Sequence, residues 1–195
     1  MKILSRIAAA FVLSSLVSAP VLLATPVLAD ITRESSVDEF TGRTTHSIQS
    51  DTIYPRKAAS FPYNQQSFTL VAQCIEGGNK YERKPYFFFY NNDVDFNLGS
   101  NNPWGLHGLT ALDIKVEGEE MLQLYMSAPN HDQRRAHLVP PKSSKNANDL
   151  FIKYLNGSDT ALMRFSMFNG ETVVMEMPTA TLPKHYADIK ADCKK

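Results

Sequence analysis

The sequence predicts a mainly β fold, an antiparallel sheet or sandwich with one short helix before the last hairpin and one helix at the C-terminus. Three observations support this prediction. Short runs of β-favouring residues recur along the chain, turn residues separate them, and the last segment repeats its apolar residues with helical spacing. Strands that follow one another in hairpins and end in a helix are typical of a sheet that packs against that helix.

Residues 1–29 predict a secretory signal peptide. Two basic residues begin it, a long apolar run follows, and Val27-Leu28-Ala29 supplies the small residues that precede a cleavage site. A retained membrane anchor is the alternative, since the apolar run is nearly long enough to span a bilayer. The serines and prolines in the run favour cleavage, so we expect a periplasmic or secreted protein without stable membrane insertion.

Residues 30–195 predict a single β-rich domain, with a polar, turn-rich segment at 30–64 that holds one exposed strand. The whole chain has 20 basic and 20 acidic residues, and the signal peptide holds two of the basic ones. The mature protein is therefore slightly acidic and has no long basic run. Nucleic acid is excluded as an expected partner, because its binding depends on neutralising phosphates with Lys and Arg.

Two segments in the first half of the domain predict buried strands. Residues 68–74 alternate in a way that puts Cys74 on the same side as Phe68. Residues 86–90 form an aromatic run that is too short for a helix and predicts a strand buried on both faces. A ligand platform is the alternative for this run, but the core is preferred because aromatic side chains bury the largest areas.

The middle of the chain predicts a hairpin, a connection and a helix. Residues 109–116 and 121–127 form the hairpin, joined by a short turn rich in Gly and Glu. The prolines and charges of residues 128–146 predict an exposed connection. Asn148 or Asp149 is then expected to cap a short helix.

A second hairpin is predicted around Asn169-Gly170, which splits two apolar runs within residues 161–177. Asn-Gly accepts the positive φ values of a two-residue type I′ turn. A two-residue turn at this point places Phe165 opposite Val174.

The last segment predicts a helix that carries one of the two cysteines. Leu182, Tyr186, Ile189 and Cys193 recur with helical spacing, and a proline stands in the first turn. Cys74 and Cys193 both fall on apolar faces of a chain expected in an oxidising compartment. We therefore expect them to form a disulfide and not to act as nucleophiles.

Four residues are candidates for binding a partner. Residues 130–137 form the densest cluster of functional side chains, and they include His131, Arg134 and Arg135. Arginine is enriched at protein interfaces, so this segment is expected to contact a protein. Trp104 is the only tryptophan and stands in a predicted loop, where it is either a plug over the core or a binding anchor.

The sequence predicts no catalytic residue, no metal site and no cofactor. His131, Asp132 and His137 do not have a regular zinc spacing. Residues 93–97 begin like a calcium loop but lack its glycine and its bidentate glutamate. The other histidines stand alone, and no nucleophile elbow accompanies them.

Several motifs together resemble the type VI secretion accessory family typified by VasI, and more loosely the invasion-associated-locus-B-like proteins. They are the residues 38–42 (DEFTG), 70–74 (LVAQC) and 150–155 (LFIKYL), the Asn169-Gly170 hairpin and a last helix that ends in Cys193. The resemblance implies a β-rich bacterial periplasmic domain and a disulfide between a strand and the terminal helix. It implies no catalytic residue.

These observations predict a non-enzymatic exported protein that binds another protein, as a secretion-associated accessory or as an inhibitor or immunity-type factor. Two alternatives remain open. One is a cell-envelope enzyme whose site is assembled only in the fold, from acids such as Asp93, Asp95 or Asp132 and a histidine. The other is a carrier of a small apolar ligand, which requires a cavity among Phe87, Phe89 and the methionines of residues 163–177.

Overall fold

A computed structural model describes most of the predicted domain. The predicted signal peptide, Trp104 and His131 lie outside the described residues, which are 31–57, 66–93, 96, 98, 109–128, 134–141, 146–167 and 170–194.

The described residues form one antiparallel sheet of ten strands and two helices. In chain order the elements are β1 (Ile31–Val37), β2 (Thr44–Ser50), β3 (Pro55–Lys57), β4 (Phe68–Glu76), β5 (Tyr86–Asn91), β6 (Leu109–Lys115), β7 (Leu122–Ser127), β8 (Arg135–Val139), α1 (Ala147–Leu155), β9 (Thr160–Ser166), β10 (Thr172–Pro178) and α2 (Leu182–Asp192). The strand order is β1-β2-β4-β5-β8-β7-β6-β9-β10-β3. The predicted fold class is confirmed.

The sheet curls until its two halves face each other. Strands β2 and β3 lie near opposite ends of the strand order, yet only residues 51–54 separate them in the chain. Because an extended residue spans at most about 3.6 Å, Ser50 and Pro55 are within about 18 Å of each other. The rings of Phe68 in β4 and Phe165 in β9 meet across the interior with their centroids 5.6 Å apart.

The inner face of the curled sheet holds the core, and both helices pack against it. Phe87 of β5 stacks on Tyr186 of α2 and meets Phe151 of α1 edge-on, with both centroid distances 5.1 Å. The inward side of β4 is the one that the alternation predicts and consists of Phe68, Leu70, Ala72 and Cys74. None of the helices in the described part of the chain is long and apolar enough to cross a membrane.

The predicted disulfide is confirmed. Cys74 and Cys193 are both fully buried, and their Cα atoms are 6.1 Å apart. The bond fastens the end of α2 to β4 across a sequence separation of 119 residues. In the chain-entropy model, closing a loop of this size stabilises the folded state by about 4 to 5 kcal/mol.

The register of the second hairpin differs from the predicted one by one residue. Phe165 lies opposite Val173, not Val174. The N–H of Gly170 donates to the Met167 carbonyl, and the N–H of Met167 donates to the Glu171 carbonyl, so the loop has three residues. Gly170 has a φ of 81°, as the last residue of a three-residue hairpin loop requires.

The prediction of an exposed connection at residues 128–146 is wrong in its middle, where strand β8 lies between β5 and β7 inside the sheet. Ala136 and Leu138 point into the core, while Arg135 and His137 are half-buried on the other face. The charged residues concealed this alternation because they occupy the outer face.

Two further predictions need correction. The cap of α1 is Asn146, whose side chain accepts hydrogen bonds from the N–H groups of Asn148 and Asp149. Asn148 instead accepts from the N–H of Phe87 in β5 at 3.0 Å. The polar segment 30–64 contributes three strands, not one, and β2 lies inside the sheet.

Candidate functional site

An open cleft of about 690 Å³ lies between the connection from β4 to β5 and the two helices. We call it the basic cleft. One wall is the connection, with Lys80, Tyr81, Arg83 and Lys84, and the other is the end of α2, with Lys190. The cleft therefore joins two stretches of chain that lie far apart in the sequence.

The connection is held in a helical turn by its own polar side chains. The Asn79 side-chain oxygen accepts the N–H groups of Tyr81 and Glu82 at 2.9 and 3.1 Å. The Glu82 carboxylate returns to accept the N–H of Asn79 at 2.7 Å. This reciprocal arrangement is a capping box, which fixes a first helical turn. Tyr81 is thereby presented to solvent with 80% of its surface exposed.

The cleft has more positive charge than its surroundings neutralise. Its lining includes five basic side chains and one acidic side chain, Asp149. Lys190 lies 2.9 Å from Asp149. In the part of the chain that the structure describes, no acid pairs with the other four, which are Lys80, Arg83, Lys84 and Lys194.

The carboxylate of Asp149, the acid of the cleft, already accepts hydrogen bonds from side chains of the protein. It accepts hydrogen bonds from Lys190, from the Asn146 side chain at 2.6 Å and from the Tyr186 hydroxyl at 3.3 Å. Burial, and then the negative charge of Asp149, raise the pKa of Tyr186. The floor of the cleft is therefore a neutral aromatic ring, and Lys190 Nζ lies 5.5 Å from its centroid.

A second rigid turn lies beside the cleft, between β1 and β2. The Asp38 side chain accepts the N–H groups of Phe40 and Thr41 at 2.9 and 3.3 Å. Hydrogen bonds from the Thr41 side chain and from the Phe40 N–H lower the pKa of Asp38. Phe40 is fully exposed at the end of this turn, and Gly42 has the positive φ that closes it.

The two turns face the same end of the sheet. Arg43, the last residue of the first turn, lies 3.7 Å from Glu82 of the second, and Thr44 of β2 is opposite Glu76 of β4. We call the two turns, residues 38–43 and 79–84, the tip surface. Each carries one exposed aromatic side chain, two residues after the Asp or Asn that caps the turn.

The predicted partner-binding arginines lie away from this end. Arg135 is opposite Tyr90, four residues along β5 from Tyr86, which lines the cleft. The Arg135 guanidinium lies over the Phe88 ring at 5.2 Å from its centroid, whereas Arg134 is exposed. Their role in binding a partner stays a prediction, as do the roles of Trp104 and His131, which lie outside the described residues.

One hydrogen-bonded chain has the residue types of a hydrolytic triad. The Ser35 hydroxyl lies 2.9 Å from His46 Nδ1, and His46 Nε2 lies 3.1 Å from Glu76. Ser35 is in the extended edge strand β1, and none of the three residues lines the basic cleft. Within the described residues no non-glycine residue has a positive φ, as a nucleophile elbow requires.

The acids predicted for an assembled enzyme site are only partly described. Asp93 accepts two hydrogen bonds from Ser67, one from its N–H at 2.7 Å and one from its hydroxyl at 2.9 Å. Asp95 and Asp132 lie outside the described residues. Among the described His, Cys, Asp and Glu residues, no group of three or more is placed to hold a metal ion.

The basic cleft is not among the sites predicted from the sequence, although the sequence contains two signals for it. Residues 80–84, KYERK, form a short basic run in a turn, and lysines end the last helix. The predicted bond between Cys74 and Cys193 places Lys194 near the end of β4, beside that run. Neither signal alone separates a binding site from an ordinary solvated surface.

Comparisons of this chain with protein-family models, with curated proteins and with solved structures found no match. The resemblance to the VasI-like family stays a prediction.

Proposed function

We propose that the protein is exported, is not an enzyme, and binds a partner protein, as a secretion-associated accessory or as an inhibitor or immunity-type factor. The observation that carries this proposal is the tip surface. It presents Phe40, which is fully exposed, and Tyr81, which is 80% exposed, on two turns with internal hydrogen bonds.

Exposed aromatic side chains on rigid turns are suited to bind a protein. Aromatic residues are enriched among the few residues that supply most of the binding energy of an interface. A preorganised turn loses little conformational entropy when it binds, so more of the contact energy appears as affinity. Phe40 buries no apolar surface within the chain, since its side chain is fully exposed.

The test is capture of partners from native periplasmic extract with the mature protein. The tip variant carries Phe40→Ser and Tyr81→Ser, and the matched control carries Tyr54→Ser, because Tyr54 is 73% exposed outside the tip surface. We expect the wild type and the control to enrich the same protein. The enrichment of this protein by the tip variant should be at least about tenfold lower than by wild type, because two interface anchor residues are removed.

Enrichment that is equal for the tip variant and the control would contradict the role of the tip surface. If no form of the protein enriches a partner, the binding function itself is contradicted.

An enzyme is the second candidate, and the chain from Ser35 through His46 to Glu76 is the observation in its favour. A fluorophosphonate probe labels serine nucleophiles that a base activates. We expect no labelling of the mature protein. Labelling that maps to Ser35 and disappears in His46→Ala would replace the binding proposal with a hydrolase.

A further inference from the structure

We propose that the basic cleft binds an acidic segment of the partner protein, a stretch of chain with several Asp or Glu side chains. This inference rests on the proposed binding function and names the chemistry that the partner must present. The cleft adjoins the tip surface directly, because the turn at residues 79–84 belongs to the tip surface and also forms one wall of the cleft.

The charge of the cleft is the first argument. Five basic side chains and one carboxylate line the cleft, and four of the five form no ion pair within the described structure. The full sequence has equal numbers of basic and acidic residues, so the excess is local. Such a local field attracts an anionic partner and speeds its association.

The distribution of the charges indicates a ligand with spaced negative groups. Lys80, Arg83 and Lys84 stand on one wall, while Lys190 and Lys194 stand on the other. A phosphate or other point anion is typically held by convergent forked donors, for which Arg is the preferred residue. Here four of the five cations are lysines, and they line two sides of an open cleft. Carboxylates spaced along a peptide match this arrangement.

The floor and the size of the cleft favour a peptide over a purely ionic chain. Tyr186 and Pro85 are buried in the floor and Tyr81 stands at the rim, so apolar and aromatic contacts accompany the charges. A volume of about 690 Å³ lies within the usual range for ligand sites, about 300 to 1,000 Å³. The cleft therefore accommodates a few residues of a chain, with carboxylates directed to the walls.

The experiment measures binding of a fluorescein-labelled peptide of six glutamates and two leucines to the mature, disulfide-bonded protein by fluorescence anisotropy. The cleft variant carries Lys80→Glu, Arg83→Glu and Lys84→Glu. The matched control carries Lys57→Glu, Lys115→Glu and Lys153→Glu, three exposed positions outside the cleft. Both variants change the net charge equally, so a difference between them reports the site and not the overall charge.

We expect the cleft variant to lose at least about tenfold in peptide affinity and the control to lose less than about twofold, because remote exposed charges are screened at physiological salt. If the triple variant does not fold, as judged by circular dichroism, Lys194→Glu alone is measured and should lose about threefold to tenfold, the effect of one charge contact at an interface. Equal losses in the cleft variant and the control overturn the inference.

Heparin oligosaccharide, a short DNA duplex and inorganic phosphate are tested as competitors. Tighter binding of any of these than of the glutamate peptide overturns the acidic segment as the ligand. If partner capture depends on the tip surface but the protein does not bind the glutamate peptide, this inference is refuted and the proposed function stands. Peptide binding in the cleft without any captured partner contradicts the proposed function and the partner segment, and it leaves the cleft only as a site that recognises acidic peptides.

Discussion

The basic cleft and a smaller groove on the outer face of β6, β9 and β10 use their charged side chains in opposite ways. The groove, about 370 Å³ in volume, is lined by Lys57, Asp113 and Arg164 among others. Arg164 donates to Asp113 from Nε at 3.0 Å and from Nη2 at 2.6 Å, so this charge is satisfied within the protein. In the cleft, four cations have no such acid among the described residues. Among the described residues the cleft thus holds four cations without an ion pair, whereas the groove holds one, Lys57.

The difference follows from the backbone that carries the charges. Asp113 and Arg164 are directly opposite each other on the antiparallel strands β6 and β9, where opposite charges stabilise the pairing. The cations of the cleft stand on a turn and at a helix end, and no neighbouring strand supplies a counter-charge there. The four cations of the cleft that form no ion pair therefore stay available to a partner, while Arg164 is used within the sheet.

The largest expected effect comes from removing the disulfide that fastens α2, one wall of the cleft, to β4. In Cys74→Ser with Cys193→Ser, the free energy of unfolding should fall by about 4 to 5 kcal/mol, as expected for a closed loop of this length. Urea denaturation with and without reductant measures the effect. The cleft should also lose its peptide affinity, because α2 supplies Lys190. Retained affinity would show that the connection alone is the site.

Releasing the capping box should have the next largest effect. Asn79→Ala removes the acceptor of the Tyr81 and Glu82 N–H groups and should cost about 1 kcal/mol of stability, the usual effect of losing a helix N-cap. It should also weaken the binding of the glutamate peptide. Ser158→Ala, which removes the hydrogen bonds of the Ser158 hydroxyl with the Leu155 carbonyl and the Thr179 side chain outside the cleft, is the control. It should lose a similar amount of stability, about 1 kcal/mol, and less affinity. Equal losses of affinity would contradict the role of the turn.

A pH effect should distinguish the floor of the cleft from the groove. The folded-state pKa of Tyr186 is raised above its usual value of 10.0, so the folded protein holds this proton more tightly than the unfolded chain. The stabilisation is complete below pH 10 and is lost as the pH rises through the folded-state pKa. Urea denaturation between pH 8 and 11 should show a steeper decline for wild type than for Tyr186→Phe. Parallel declines would exclude Tyr186 as the source.

The smallest effect is expected in the groove. Arg164→Ala removes an ion pair whose arginine side chain is 55% exposed, and exposed pairs contribute about 0 to 1 kcal/mol. The peptide affinity should stay within about twofold of wild type, as expected for a remote screened charge. A loss comparable to that of the cleft variant would remove the distinction between the two surfaces.

The sequence predicts best what depends on local periodicity. The alternation of residues 68–74 and the helical spacing from Leu182 to Cys193 both identify their buried faces, and the cysteines on those faces predict the disulfide. The alternation of β8 was missed because Pro140-Pro141 and the charged residues around it are typical of a loop. The register of the last hairpin was missed because Asn-Gly also fits a loop of three residues.

The cleft was harder to predict for a physical reason. Its walls, residues 80–84 and the end of α2, are joined by a disulfide and a sheet topology that no single window of sequence contains. The Asx and Glu side chains that fix Tyr81 are visible in the sequence, but turns of this composition also occur on surfaces that bind nothing.

The position of β3 at the far end of the strand order determines when this strand can pair. Lys57 of β3 lies opposite Val174 of β10, so β3 has no partner until nearly the whole chain has emerged. When the chain is synthesised or exported from its N-terminus onward, β1 can pair with β2 early, whereas β3 stays unpaired until β10 is present. Such late, non-local pairing slows folding. Unpaired strand edges can associate with other chains, so the protein is most exposed to misassociation before β3 pairs with β10.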